Sequence, residues 1–484
     1  MRCGVRKADL SASLVVFLVA LPLCVGVALT SGVPAELGLV TGTVGGLVAG
    51  VLSGGGPRVS GPAVGLVVLV HEAVRTYGLR MLGVLVLAAG LVQLLLGALR
   101  LGRWFRAVSV AVVQGLLAGL GLLLAAGQLY ALGDSAVPAG GPGRLTGLVS
   151  LPGQVDPGTL SVGGATVVVL LLWPRWRRGA RLVPAPLAAV VSASAVTAVF
   201  GLDVRRVEVR GLLDAVRVPG SADLGRLMEV GVIGTVAAFA LIASAESLSG
   251  AAAVDRLHRG PRTDHDRELL AQGAGNTVCG LLGALPMAAV TVRGPAGGAS
   301  AEGARAGMRT KVSRVLYGGW LLLFAVLVPG VLGVVPVAAP AALLLYAGCR
   351  LVPVREARSL WHGDRGEAVV LGVTAVAVVV GGVFVAVLAG LALSVAKTAW
   401  DTSQVRVETE DRGEAGLVVR VLGHATFLRL PRLLEGLDAL PQDREVRLDL
   451  AGLRHADHAC AAALEGWTAA RAQAAARATS RSTS

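Results

Sequence analysis

The sequence predicts a polytopic α-helical membrane protein, with about fourteen transmembrane helices in two inverted seven-helix repeats and a small cytoplasmic α/β domain after them. Of its 484 residues, 54% are hydrophobic and only 15% are charged, and the mean hydropathy is +0.71. A soluble domain carries about 25% charged residues. The apolar residues form blocks near the roughly 20 residues that a helix needs to cross a bilayer. After Trp400 these blocks stop and charges return at ordinary density.

Length and flanking charge define the individual segments, none of which shows the period-two alternation of an outer-membrane barrel strand. Seven segments precede the polar stretch 202–228 and seven follow it. Because an odd number of spans per half reverses the orientation, the halves at about 1–205 and 206–400 are predicted to be inverted repeats. The segments lie at about 10–30, 36–53, 61–76, 79–98, 108–130, 160–174, 183–201, 229–250, 268–286, 294–304, 313–334, 337–349, 367–382 and 383–400.

The net charge of +13 is explained by membrane topology better than by a nucleic-acid partner. Basic residues concentrate in alternate loops, whereas the short loops between them near Met287 and Pro336 and at 381–382 carry no charge. By the positive-inside rule both termini are cytoplasmic, in a multi-pass protein surrounded by the lipid of the cytoplasmic membrane. The first span resembles a signal peptide but lacks an A-x-A cleavage site, so it is predicted to be retained. The basic residues in question are Arg100, Arg103, Arg106, Arg175, Arg177, Arg178, Arg181, Arg305, Arg309, Lys311, Arg314, Arg350, Arg355 and Arg358.

Two short motifs interrupt the apolar segments, one in each half. Residues 60–63 (S-G-P-A) and 293–296 (R-G-P-A) each open a short apolar run. Since Gly and Pro are unfavourable inside a helix, each run is predicted to begin at a true helix N-terminus. Lipid cannot satisfy the N–H groups exposed there, so paired breaks of this kind line a cavity and indicate the binding site of a transporter. Each N-terminus carries about half a positive charge, which favours an anion.

Three polar residues near the breaks are candidates for ion binding. Glu246 lies deep in an apolar span and is predicted to bind a cation or carry a proton, with a polar contact to Ser244 or Ser247 as the alternative. Arg293 adds a full charge at the second break and can hold an oxyanion with forked hydrogen bonds; the alternative is snorkelling to the interface. Thr291 offers its hydroxyl either to a hard cation or to its own helix backbone.

The residues after Trp400 are predicted to form an α/β domain over 401–473, followed by a disordered tail, 474–484. Strands are expected at 417–421 and 445–450, and helices at 430–440 and 461–473.

No metal site, disulfide framework or enzyme active site is predicted. His455, Asp457, His458 and Cys460 are too close in sequence for all four to converge on one metal ion. The five cysteines are odd in number and form no C-x-x-C motif. Neither a Ser-His-Asp set nor a pair of carboxylates in a soluble pocket is evident.

Several motifs, taken together, resemble the sulfate permease (SulP) family of inorganic anion transporters. They are 21–28 (L-P-L-C-V-G-V-A), 31–34 (S-G-V-P), 59–62 (V-S-G-P), 244–248 (S-A-E-S-L), 275–277 (G-N-T), Arg293 and 309–311 (R-T-K). The tail resembles the STAS domain that ends these proteins, through 448–453 (L-D-L-A-G-L) and 457–460 (D-H-A-C). No Ser or Thr occurs from Asp457 to Trp467, so the phosphorylated serine of soluble STAS regulators is missing, and the D-H-A-C form resembles bicarbonate-type members.

The resemblance implies a core domain that moves against a gate domain, usually within a homodimer. It implies that a small inorganic anion sits between the N-termini of the third and tenth helices. Onto this sequence it places Pro62 and Ala63 at the first break, Arg293 and Gly294 at the second, and Val27 of the first helix as an apolar wall.

In sodium-coupled members, an acid in the eighth helix and a threonine before the tenth bind the ion, and these fall on Glu246 and Thr291. The predicted function is therefore secondary active transport of sulfate or bicarbonate, in symport with Na⁺ or H⁺. No cofactor is predicted, and whether Na⁺ binds stays an open question at this point. The alternatives are a nucleobase carrier of the same fold, which the STAS-like tail disfavours, and a membrane-tethered regulator, which the missing phospho-acceptor disfavours.

Overall fold

The computed structural model describes residues 7–53, 58–102, 109–138, 140–176, 183–209, 211–257, 263–290, 310–403, 405–411, 417–426, 429–441 and 446–482. The chain forms two compact units, residues 1–391 and 392–484.

Two helices of the first half begin at capping side chains, and a glycine with positive φ separates another pair. Asp156 Oδ2 accepts a hydrogen bond from the Thr159 amide at 2.6 Å, and Ser109 caps the helix that follows it. Gly78, with φ of 87°, reverses the chain between two helices. The helices are α1 (Lys7–Thr30), α2 (Ala35–Val44), a π turn (Gly45–Ala49), α3 (Gly50–Leu52), α4 (Val67–Tyr77), α5 (Leu79–Ala98), α6 (Val110–Leu132), α7 (Gly141–Thr146), α8 (Pro157–Leu172) and α9 (Ala185–Val199).

The second half ends its membrane part in a tight helical hairpin. Gly382, with φ of 79°, breaks the last long helix, and a Cβ at Gly390 would lie 2.6 Å from Thr374 Oγ1, so the two arms pack together. The helices are α10 (Leu212–Ala215), α11 (Ser221–Gly225), α12 (Val230–Leu257), α13 (His265–Leu281), α14 (Lys311–Leu327), α15 (Ala338–Leu351), α16 (Val354–Gly363) and α17 (Arg365–Thr402). Short 3₁₀ turns occupy Val64–Leu66, Gly147–Val149, Leu151–Gly153, Trp173–Arg175, Arg226–Met228 and Pro329–Val334.

Each predicted apolar segment that the structure describes contains helix, and the tenth, 294–304, lies outside the described residues. Two segments are less regular than the sequence suggests, because α2 continues into a π turn and the third segment opens with a strand. Seven helices in the described ranges are long and apolar enough to cross a membrane: Asp9–Thr30, Ala35–Leu52, Leu79–Ala98, Val110–Leu132, Pro157–Arg175, Val230–Leu248 and Arg365–Thr402.

The membrane helices pack in two groups. In the first, α5 packs on α13 and α12, while α1 and α2 pack on α14. In the second, α15 packs on α6 and α8, and α8 packs on α9. Small residues allow these contacts, since a Cβ at Gly280 would lie 2.2 Å from the Leu87 nitrogen. The first group contains the interrupted segments and forms the core domain; the second forms the gate domain.

The contact between α14 and the π turn gives a stability prediction. A Cβ at Gly318 would lie 2.9 Å from the Leu47 nitrogen, whereas one at Gly319 would meet nothing within 4 Å. We expect Gly318→Ala to lower the melting temperature, because overpacking of this kind costs about 1–3 kcal/mol. Gly319→Ala should leave it unchanged or raise it, because Ala favours helix over Gly. Thermal unfolding in detergent measures both, and equal shifts would contradict the close approach at Gly318.

The C-terminal unit is a small α/β sheet domain. Its strands β3 (Val405–Asp411), β4 (Leu417–Ala425), β5 (Val446–Asp449) and β6 (Leu453–Ala456) pair so that β4 is antiparallel to β3 and parallel to both β5 and β6. Two helices, α18 (Leu430–Asp438) and α19 (His458–Ser482), flank the sheet. Leu417, Val419 and Val421 alternate into the core. The last helix continues to Ser482, beyond the end at 473 that the sequence predicts.

Cys460 belongs to the apolar core of this unit, beside Val421 and Leu433. Asp457 Oδ1 accepts a hydrogen bond from the Cys460 amide at 2.9 Å and so caps α19. Burial, with the Asp457 carboxylate, raises the pKa of the Cys460 thiol to about 11. We expect iodoacetamide at pH 8 to leave Cys460 unmodified, since roughly one thiol in a thousand is ionised there. The exposed Cys349 should be alkylated. Mass spectrometry of the native protein decides, and equal labelling would contradict the prediction.

Candidate functional site

Two short strands from opposite halves of the chain meet inside the membrane unit. They are β1 (Val59–Pro62) and β2 (Met287–Val290), which pair antiparallel. Pro62 lies opposite Met287, and β2 ends just before the R-G-P-A motif. After β1 the chain turns into 3₁₀ conformation at Val64 and then into α4, so the predicted helix N-terminus is present. The two halves are therefore joined by backbone pairing where their spans are interrupted.

Side chains of neighbouring helices bind the backbone groups of β2 that β1 does not. The Met287 amide donates to Asn276 Oδ1 at 2.7 Å, and Asn276 Nδ2 donates to the Met287 carbonyl at 3.1 Å. The Ala289 amide donates to Ser247 Oγ at 3.0 Å. Asn276 Nδ2 also donates to Gln93 Oε1 at 2.7 Å. Because lipid offers no hydrogen bonds, these side chains are what permits a strand at this depth.

Glu246 of α12 reaches the start of the helix that follows the first break. Its buried carboxylate accepts a hydrogen bond from the Gly65 backbone, and a Cβ at Gly65 would lie 3.2 Å from Glu246 Oε2. The absence of a side chain at Gly65 thus allows the approach. Ser244 accepts a hydrogen bond from Gln93 at 3.0 Å, and Ser247 bonds β2, so both serines have partners of their own. The arrangement sets a carboxylate against the positive end of a helix.

The structure brings part of the predicted site together. Pro62 and Ala63 are buried at the end of β1, next to the turn that Glu246 contacts. Val27 is buried in α1, a helix that contacts both β1 and α4. The remaining predicted site residues, Thr291, Arg293 and Gly294, lie outside the described residues.

A buried ion pair, which the sequence did not reveal, fixes the approach to the first break. Arg58 Nη2 lies 3.1 Å from Glu268 Oε2, and the two side chains are 2% and 1% exposed. Ser53 Oγ donates to Glu268 Oε2 at 2.8 Å. Gln272 Nε2 donates to Glu268 Oε1 at 2.9 Å and to Ser60 Oγ at 2.9 Å. The segment entering β1 is thereby tied to α13.

The sequence predicts that Arg314 is one of the basic loop residues, and the structure shows that this prediction is wrong. Arg314 lies in α14, is 6% exposed, and lines a cavity of about 10 Å³ with Arg58, Ser60, Glu268 and Tyr317. Local sequence shows it next to Lys311 in a basic run, and only the packing of α14 shows that it points inward.

In this chain, two interrupted segments from opposite halves pair within one of the two helix groups. This arrangement is typical of an inverted-repeat membrane protein of the transporter class. The chain belongs to the sulfate permease family, whose family model matches residues 7–374.

Relatives of known name agree with this assignment. The probable sulfate transporter MT1781 of Mycobacterium tuberculosis is 28% identical over 311 residues, 64% of this chain and 54% of the relative. The bicarbonate transporter BicA of a Picosynechococcus species is 28% identical over 311 residues, 59% of this chain and 52% of the relative. The chain thus spans about half the length of these curated relatives.

A solved structure confirms the fold class. The murine Solute Carrier 26 family member A9 (Slc26a9) anion transporter, in the inward-facing state, matches with a TM-score of 0.81 at 15% identity, over 97% of this chain and 85% of that chain. The C-terminal strands of the present chain fit a STAS domain.

Proposed function

We propose that the chain is a secondary active transporter that moves a small inorganic oxyanion, sulfate or bicarbonate, across the cytoplasmic membrane by alternating access. The observation that carries this proposal is the pairing of β1 with β2 beside Glu246, at the point where both halves interrupt a span. The named relatives include a sulfate and a bicarbonate transporter, and both anions suit a site of backbone N–H groups and one guanidinium.

In the proposed site, Pro62, Ala63, Arg293 and Gly294 surround the anion, and Val27 supplies an apolar wall. The positive end of α4 attracts the anion, but Glu246 lies against the same end and opposes it. A proton or Na⁺ on Glu246 removes that repulsion. Cation binding and anion binding then favour each other reciprocally, which is the thermodynamic requirement for symport.

Thr291 is proposed as a further oxygen ligand for Na⁺. The proposal includes cytoplasmic termini, following the basic loops, and a homodimer, following the family resemblance.

Flux into proteoliposomes tests the function. Purified protein should take up labelled sulfate or labelled bicarbonate saturably, and an inward gradient of either Na⁺ or H⁺, each varied with the other held flat, should stimulate the uptake. Protein-free liposomes give the background. Labelled uracil and xanthine test the nucleobase alternative. If neither oxyanion enters under either gradient, the proposal fails, and a membrane-tethered regulator becomes the better explanation.

A further inference from the structure

A cavity of about 190 Å³ lies between the core and gate helices, beside α4. Thr30 of α1 and Val67 and His71 of α4 line one side. Gln128 of α6 lines the other, and Arg144 of α7 completes the lining. Val67 is the first residue of α4, so the cavity begins beside the helix start that follows the first break and extends along that helix. Gln128 lies near the end of α6 remote from the basic loop at 100–106, so the cavity is at the side of the membrane unit away from the basic loops.

Among the described residues, no ion pair neutralises the positive charge of Arg144. The residue is 9% exposed, and its buried Nε makes no hydrogen bond within the part of the chain that the structure describes. Tyr130 Oη donates to the Arg144 carbonyl at 2.9 Å, which anchors α7 to α6. Glu72 and Arg75 of α4 act on the guanidinium through space with opposite signs. A buried guanidinium with a free donor is the side chain best suited to an oxyanion.

The other polar groups of the cavity complement an anion. Thr30 Oγ1 donates to Gln128 Oε1 at 3.3 Å, which occupies the amide oxygen and leaves the amide nitrogen as a hydrogen-bond donor. His71 adds an imidazole, and the described residues that line the cavity include no carboxylate. The remaining walls are mainly apolar, as in most small-ligand sites. A small oxyanion fits this volume together with several water molecules.

We propose that this cavity is a second binding site for the transported oxyanion, with Arg144 as its positive anchor and Gln128 as a hydrogen-bond donor. The identity of the anion rests on the proposed function. The site captures the anion between solvent and the crossing of β1 and β2, and its charge raises the local anion concentration. Arg144 therefore acts on capture and not on the translocation step.

Charge-selective modification tests the site without any transport. Val137 lines the cavity and is 40% exposed. In detergent, with Cys3 and Cys349 replaced by alanine, Val137→Cys should react about tenfold faster with a sulfonate-bearing methanethiosulfonate than with its trimethylammonium counterpart, after correction for their rates with free thiol. Arg144→Gln should abolish most of this preference. Sodium sulfate should slow the anionic reagent in the parent and much less in Arg144→Gln.

Arg205→Gln is the matched control, because Arg205 is 74% exposed and does not line the cavity. It should retain the preference. If Arg144→Gln also retains it, the second site is refuted. This outcome is separate from the proposed function, which fails only if the wild-type protein shows no flux.

Transport kinetics provide the second readout. Arg144→Gln should raise the KM for the anion supplied from the cavity side about tenfold with kcat little changed, and Arg144→Lys should recover part of the loss because it keeps the charge. Equal KM values for wild type and Arg144→Gln, or a fall in kcat alone, would overturn the proposed capture role. Melting temperatures of the variants exclude misfolding as the cause.

Discussion

Replacing Arg58 with methionine is expected to destabilise the membrane unit by about 3–5 kcal/mol, because the buried Glu268 carboxylate loses the cation that donates a hydrogen bond to it. Both side chains are almost fully buried, so water cannot take the place of the lost partner. Ser53 and Gln272 still bond the carboxylate but are neutral, and Arg314 acts on it through space. Thermal unfolding in detergent, monitored by size-exclusion chromatography, should show this as one of the largest losses among single substitutions in the chain.

A double variant distinguishes the loss of charge balance from the loss of packing. Arg58→Met with Glu268→Leu removes both charges and should recover most of the stability, since apolar pairs of similar volume can replace buried ion pairs. The exposed pair of Arg205 with Asp134, whose side chains are 74% and 38% exposed, is the matched comparison. Asp134→Asn should change the stability by at most about 1 kcal/mol. A double variant no more stable than the single one would argue against a charge-based explanation.

Glu246→Gln is expected to reduce gradient-driven uptake at least about tenfold and to remove its dependence on the coupling cation, because an amide keeps the shape of the carboxylate but neither titrates nor binds Na⁺ well. The Gln side chain can still accept the hydrogen bond from Gly65, so the melting temperature should change little. Uptake of labelled anion into proteoliposomes, with the Na⁺ and H⁺ gradients varied separately, measures the effect.

Glu229→Gln is the control for this experiment. Glu229 immediately precedes α12, the helix of Glu246, but it is exposed and pairs with Arg226 at 2.8 Å. Its uptake and cation dependence should match the wild type. Unchanged cation dependence in Glu246→Gln would assign the coupling to some other group.

The sequence predicted the helices well because hydropathy is a local property of each segment. It also located the first break, since Gly61 and Pro62 cannot continue a helix. Strand β3 went unpredicted because most of it is exposed and acidic, so that it lacks an apolar alternation and is held by backbone pairing with β4. The π turn after α2 likewise depends on packing, where Gly45 approaches the Ser60 carbonyl.

For the site, the sequence identified an acid in an apolar span but not its surroundings. The apolar neighbours of Glu246 in the sequence predicted that it lies inside a membrane span, whereas its contact with Gly65 depends on the fold. Arg58 and Glu268 are 210 positions apart, and nothing local marks them as partners. Asn276 was part of a recognised motif, yet its role in binding β2 became visible only once that strand was placed.

The backbone pairing of β1 with β2 mechanically links the two interrupted segments. Drawing the two interrupted segments apart would leave amides and carbonyls unsatisfied in a medium without water, at several kcal/mol for each. Between α1 or α4 and the gate helices α6 and α15, the described residues form no backbone hydrogen bonds, so these surfaces can slide past one another at a far smaller cost in free energy. An anion bound where β1 and β2 pair should therefore move together with the whole core domain as a rigid body. The surface along which the two domains slide should lie on the faces of α1 and α4 that meet α6 and α15.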